Sequence, residues 1–118
     1  MLIVRPVTKQ DIDAFSPLEE NPSIKAICWE LDGRVVGIGG VARVGGRWLA
    51  FFSPTDELRP YKMTIARNAI RFFDRMRKEG IKFIYAERNP NEHSSERWLK
   101  SLGFEIDPKS HYFYRWSA

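Results

Sequence analysis

Two glycine turns constrain this chain more than any other feature. Asp32-Gly33 and Gly45-Gly46 each stand between runs of β-prone residues. Such dipeptides supply the positive backbone angles that a two-residue hairpin turn needs. The runs they join are Ile24 to Leu31, Val35 to Val44 and Arg47 to Phe52, so these should lie side by side as an antiparallel meander. A sheet must bury at least one face against another layer. The segment Tyr61 to Glu79 supplies that layer, because Met63, Ala66, Ala69, Ile70, Phe73 and Met76 recur at helical spacing. Gly80 ends this helix as its C-cap. The expected core is Ile70, Phe73 and Met76 on the helix, with Phe83 and Ile84 on the strand that follows.

The remaining elements fall into place around this unit. Leu2 to Val7 reads as a first strand, and Thr8 caps a short helix from Lys9 to about Phe15 that stops near Pro17. Asp11, three residues after the cap, sits well at the positive helix end. Glu19 to Ser23 is a loop. Ile81 to Glu87 is almost continuously apolar, which suits a central strand. Arg88 to Asn91 is a turn, Ser94 to Leu102 a short helix stopped by Gly103, and Phe104 to Ile106 and His111 to Trp116 the last strands. A helix joining the third meander strand to 81–87 makes that pair a parallel crossover. These two strands end in different loops, Ser53-Pro54 and Asn89-Pro90, so the sheet should splay between them. The fold class is α+β, a central mixed β-sheet of six to seven strands with about three helices on its faces. Residues 1–118 form a single domain in this reading.

Composition excludes several function classes. With 43% hydrophobic residues in 118, the chain can build a core without staples. One cysteine, Cys28, rules out an internal disulfide framework, and its apolar surroundings suit a buried, inert thiol. No pair of His, Asp, Glu or Cys has metal-site spacing, so no metal is expected. The N-terminal residues lack a leader pattern, and no window approaches the roughly 18 apolar residues of a membrane span. The net charge of +4 is scattered and too small to demand a nucleic-acid partner. A cytoplasmic or phage-virion location fits these features.

Several stretches resemble one family. Ile3-Val4-Arg5-Pro6 with Thr8 and Asp11-Ile12, the hairpin Asp32 to Gly40, and Trp98-Leu99-Lys100-Ser101-Leu102-Gly103-Phe104 follow the order of the GNAT N-acetyltransferases. A narrower set is similar to the internal virion protein A family of T7-like phages. It comprises Gly37 to Gly40, Trp48, Ser53, Thr55-Asp56 and the Arg97 to Gly103 helix.

The GNAT resemblance implies acetyl-CoA as cofactor and an amine-bearing acceptor, small molecule or protein. GNAT enzymes hold the cofactor with a Gln/Arg-x-x-Gly-x-Gly/Ala loop before the main helix, where glycines let backbone N–H groups approach the pyrophosphate. The matching stretch here is Arg59-Pro60-Tyr61-Lys62-Met63-Thr64, with the arginine kept and both glycines replaced. The implied cofactor contacts are Phe52, Ser53, Arg59, Tyr61, Lys62, Met63, Thr64 and Asn91. Arg59 and Lys62 also read as plain solvated cations. The family's tyrosine acid corresponds to Leu99, which has no proton to give. Tyr112 or Tyr114 on the last strand is a substitute acid, with Tyr112 the catalytic candidate, or else a packing residue. Glu87 stands where a family base can sit, or else pairs with Arg88 or Arg97; His93 and His111 are alternative bases. The implied function is an acyl-CoA-dependent N-acyltransferase homologue with a degenerate cofactor loop. The alternative is a non-catalytic, phage-derived GNAT-like virion or interaction protein, with a phage or host protein as partner. A third reading is a small regulator that binds a host protein or nucleic acid through Arg67, Arg71, Arg75 and Lys78, which share one helix face and also suit plain solvation. The four tryptophans read as core or interface anchors.

Overall fold

The computed structural model describes residues 1–15, 23–87, 93–110 and 112–118. In chain order these form β1 (Leu2–Pro6), α1 (Lys9–Phe15), β2 (Ile24–Leu31), β3 (Arg34–Val44) and β4 (Arg47–Pro54). A 3₁₀ helix (Asp56–Tyr61), α2 (Lys62–Lys78), β5 (Phe83–Glu87), α3 (His93–Ser101), β6 (Phe104–Ile106) and β7 (Phe113–Ser117) follow. The strands make one seven-stranded sheet in the order β1-β2-β3-β4-β5-β7-β6. The expected mixed α+β architecture is therefore present.

Local chemistry explains the elements. Both hairpin turns carry positive φ at their two central residues, Asp32 (52°) with Gly33 (82°) and Gly45 (58°) with Gly46 (78°). That geometry matches the twist of the strands it joins. At the start of α1, the Thr8 N–H donates to Asp11 Oδ2 at 2.7 Å, and the Asp11 N–H donates back to Thr8 Oγ1 at 3.3 Å. This reciprocal cap satisfies backbone donors at the helix entry. Arg5 on β1 grips the same carboxylate through two bonds of 2.8 and 3.2 Å, tying α1 to the sheet.

All neighbouring strands run antiparallel except β4 and β5. That parallel pair is in register at one position only, Leu49 with Tyr85, so the strands part as expected. The other face-forming interactions are side-chain packing. Helices α2 and α3 cover the sheet face that carries Ile27, Trp29, Ala86 and their neighbours. Phe73 sits at the centre, with ring centroids 5.5 Å from both Phe104 and Trp116 and 5.7 Å from Phe72.

The helix and strand faces need correction. Phe73, Met76 and Ile84 are buried as expected, but Ile70 is 50% exposed and Phe83 44% exposed. The stripe of α2 that faces the sheet is Ile65, Ala69, Phe72, Phe73 and Met76. The segment from Met63 to Met76 has apolar residues on more than one side, so a stripe that includes Met63 and Ile70 fits the period while omitting Ile65 and Phe72. Phe83 alternates with buried Ile84 on β5 and points to the other sheet face, where the Arg115 guanidinium lies 4.9 Å over its ring. The strand is an interior one, between β4 and β7, as expected, and its burial alternates rather than running continuously. The 3₁₀ helix was not expected. It is anchored by Leu58, which is 1% exposed and fits against β3 because Gly37 has no side chain to meet it.

Candidate functional site

The parting of β4 from β5 concentrates several features at one end of the sheet. Both strands finish there, and the 3₁₀ helix leads directly from β4 into α2. Beside the gap lies a cavity of about 110 Å³. Its walls come from β2 to β5 and from α2 and α3, and every lining residue is apolar or glycine. Phe52 spans the wall. Its ring stacks on Trp98 at 5.6 Å and 15°, and meets Trp29 edge-on at 5.6 Å and 75°. Gly39 permits this arrangement, since a Cβ there would lie 3.3 Å from Phe52 and 3.4 Å from the Trp29 ring. The Trp29 indole N–H donates to Asn68 Oδ1 at 2.9 Å, so this polar atom of the wall is satisfied. A cavity lined almost wholly by apolar groups favours apolar occupants over ordered water.

The residues expected to contact a cofactor divide into two groups. Phe52 lines the cavity, while Ser53 alternates to the opposite face of β4 and is half-buried. Tyr61 is half-buried against the core. Lys62, Met63 and Thr64 form the exposed first turn of α2. Arg59 is exposed and lies 3.4 Å from Asp56. Asn91 falls outside the described residues. The loop is also held closed. Arg34 makes two bonds to Glu57, of 3.0 and 2.8 Å, clamping the 3₁₀ helix to β3. These bonds lower the Glu57 pKa and raise that of Arg34. Within a 3₁₀ helix backbone amides turn back on carbonyls three residues earlier, so fewer are presented outward than in a glycine-rich loop. The first turn of α2 itself has neither a side-chain cap nor an acidic residue, leaving its positive end uncompensated.

The catalytic candidates lie beyond the gap. Glu87 ends β5, exposed, on the face opposite Ala86 and the cavity. It pairs in register with Phe113, and Tyr112, 80% exposed, immediately precedes that residue. Sheet register therefore brings Glu87 and Tyr112 to the same edge. Glu87 makes no ion pair with a described residue, so the expected pairing with Arg97 is not formed, and Arg88 lies outside the described residues. Tyr114, 3% exposed, is a core residue. The side chain of His93 and all of His111 are outside the described residues.

Other features fall outside this site. Cys28 is fully buried, and burial pushes its thiol pKa up. Among the described residues no group of three His, Cys, Asp or Glu could hold a metal. No helix among them is long and apolar enough to cross a membrane. Sequence reasoning missed Trp29, Trp98 and Leu102 as cavity walls. The available signal was the glycine pair Gly39-Gly40 within a strand, which marks a place where another group approaches closely.

With this geometry in hand, solved structures define the fold class. The ribosomal-protein-S18-alanine N-acetyltransferase from Escherichia coli superposes with a TM-score of 0.73 at 11% identity, covering 99% of this chain and 94% of that one. The ribosomal-protein-S5-alanine acetyltransferase from Vibrio fischeri gives 0.70 at 12% identity, covering 98% and 92%. A Bacillus anthracis protein assigned as a streptothricin acetyltransferase, solved in complex with acetyl coenzyme A, gives 0.71 at 11% identity, covering 100% and 99%. The chain thus has the GNAT acetyltransferase fold over essentially its whole length. No family model and no curated protein matches its sequence.

Proposed function

We propose that this chain is an acyl-CoA-dependent N-acyltransferase homologue that holds its cofactor weakly and through charge. The carrying observation is the parting of β4 from β5 after a single register pair, beside an apolar cavity and at the start of α2. Beyond Leu49, the edge of β4 that faces β5 has no ladder partner, so its backbone groups are free to bond a ligand laid along the strand. Phe52 and Trp98 offer such a ligand an apolar wall. Arg59 and Lys62 supply positive charge near the α2 N-terminus. Bound acyl-CoA would supply an activated thioester. An amine approaching from the Glu87 face would give up its proton to that carboxylate as the new C–N bond forms and the C–S bond breaks. Tyr112 is the exposed phenol at the same edge that would return a proton to the departing thiolate.

The fit is incomplete at the loop. Lys62 and Thr64 carry side chains where the family pattern has glycines, and Pro60 removes an N–H donor. Leu99 faces the cavity in place of a proton donor. These replacements favour a second reading, a non-catalytic GNAT-fold virion or interaction protein of phage origin. Calorimetry with acetyl-CoA separates the two. Exposed cations act over a screening length of about 8 Å at physiological ionic strength, so the proposal expects millimolar-range binding at low salt that fades as salt rises. Slow release of free thiol in the presence of an amine should accompany it. No binding even at low salt would overturn the enzyme reading in favour of the second. Tight, salt-insensitive binding would overturn the weak-cofactor part alone.

A further inference from the structure

We propose that the outward face of α2 is a docking surface for an acidic, amphipathic helical segment of a partner protein. Helix α2 carries six cations, Lys62, Arg67, Arg71, Arg75, Arg77 and Lys78, against one acid. That acid, Asp74, is bound to Arg77 at 2.7 Å. Arg67, Arg71, Arg75 and Lys78 are exposed and form no ion pair among the described residues. The same face exposes two apolar side chains, Met63 at 71% and Ile70 at 50%. They stand seven residues apart, on adjacent heptads of one stripe, opposite the set that packs on the sheet.

This combination selects the partner's chemistry. Unpaired arginines at four-residue steps recur every ~6 Å along the helix axis. Carboxylates placed four apart on a facing helix have the same repeat and match the guanidinium fork. A phosphate backbone would satisfy the cations but offer nothing to Met63 and Ile70. An acidic helix with its own apolar stripe satisfies both. A second copy of this chain is disfavoured, because it would set one cationic face against another. The surface lies apart from the cavity and from Glu87; its N-terminal end, Met63, shares the first turn of α2 with the proposed cofactor contacts, while Ile70, Arg67, Arg71, Arg75 and Lys78 lie beyond them.

The test titrates the full chain, by fluorescence anisotropy, with three labelled probes. The first is a synthetic helical peptide with glutamates at four-residue steps and leucines at heptad spacing. The second has the same charge with serines for the leucines, and the third is a DNA duplex of about 20 base pairs. The first peptide should bind in the micromolar range, about tenfold or more tighter than either of the others. The double substitution Arg67→Glu and Arg71→Glu should weaken it about tenfold or more, and Ile70→Ser about threefold, with unaltered thermal melts because all three side chains are exposed. Equal binding of both peptides would reduce the face to nonspecific charge and overturn the proposal. Tightest binding to the duplex would reassign it to nucleic acid. No binding by any probe would leave it a solvated face.

Discussion

Replacing Phe73 and Ile70 one at a time by alanine tests which side of α2 faces the core. Phe73 is 9% exposed and its ring meets those of Phe72, Phe104 and Trp116 within 5.7 Å. Truncating a buried phenylalanine costs roughly 3–5 kcal/mol, made up of lost transfer energy and the void left behind. The upper half of that range is expected here, because Phe73 already borders the cavity of about 110 Å³ and the new void extends it. Against a total stability of about 5–15 kcal/mol for a domain of this size, the loss is severe. Ile70 is half exposed, so its truncation should stay within about 0.5 kcal/mol. Urea unfolding of both variants, compared at a common slope, measures the difference. A cost for Phe73→Ala below about 1 kcal/mol, or an equal cost for Ile70→Ala, would refute the assigned packing face.

Other expectations follow from the same geometry. Asp11→Asn removes the charge and one of the two oxygens that Arg5 and the Thr8 N–H share, weakening those bonds while leaving the residue-11 N–H bond to Thr8 Oγ1, and should cost about 1–3 kcal/mol in denaturant unfolding. Its pH signature is specific: the Arg5 and Thr8 bonds hold the Asp11 carboxyl well below the usual aspartate range. This stabilisation is therefore complete above about pH 4 and lost as pH falls further, and the Asn variant should lack that acid-side loss. Gly40→Ala would drive a Cβ against the Lys25 carbonyl oxygen, and to 2.6 Å from the Ala26 Cα. Because backbone cannot yield easily, a thermal melt should show destabilisation by about 1–3 kcal/mol or more. If acyl transfer occurs at all, Leu99→Tyr should raise its rate by about a hundredfold, the lower end of general-acid effects, as read by thiol release. An unchanged rate would show that a phenol on this turn of α3 does not reach the departing sulfur.

The order of elements was legible in the sequence because turns and caps are local. Asp32-Gly33, Gly45-Gly46, Thr8 with Asp11, and Gly80 each fix a backbone conformation within a few residues. The splay at β4 and β5 was also foreseen, since differing exit loops are visible in the chain. What escaped was rotational phase. Helix α2 holds enough apolar residues that its period fixes the helix but not which side is buried, and only the shape of the sheet face selects Ile65 and Phe72 over Met63 and Ile70. The cavity was illegible for a related reason. Its walls come from six elements remote in sequence, and the Gly39-Gly40 pair marks only a close approach to β3 without telling that Trp29, Phe52 and Trp98 meet there. That Glu87 and Tyr112 fall at the same end of the β5–β7 pair follows from their register, which the sequence suggests only once those strands are known to pair.

A sheet joined at one rung has a mechanical consequence. Main-chain bonding runs unbroken from β1 to β4 and again from β5 through β7 to β6, but scarcely between the two blocks. Cooperative unfolding of the whole therefore rests on side chains, with α2 as the keel that spans the seam. Phe73 grips Phe104 and Trp116 on one block, while Asn68 holds Trp29 on the other. Weakening that keel should let the smaller block of β5, β6 and β7 open as its own unit, with its amides exchanging before those of β2 and β3.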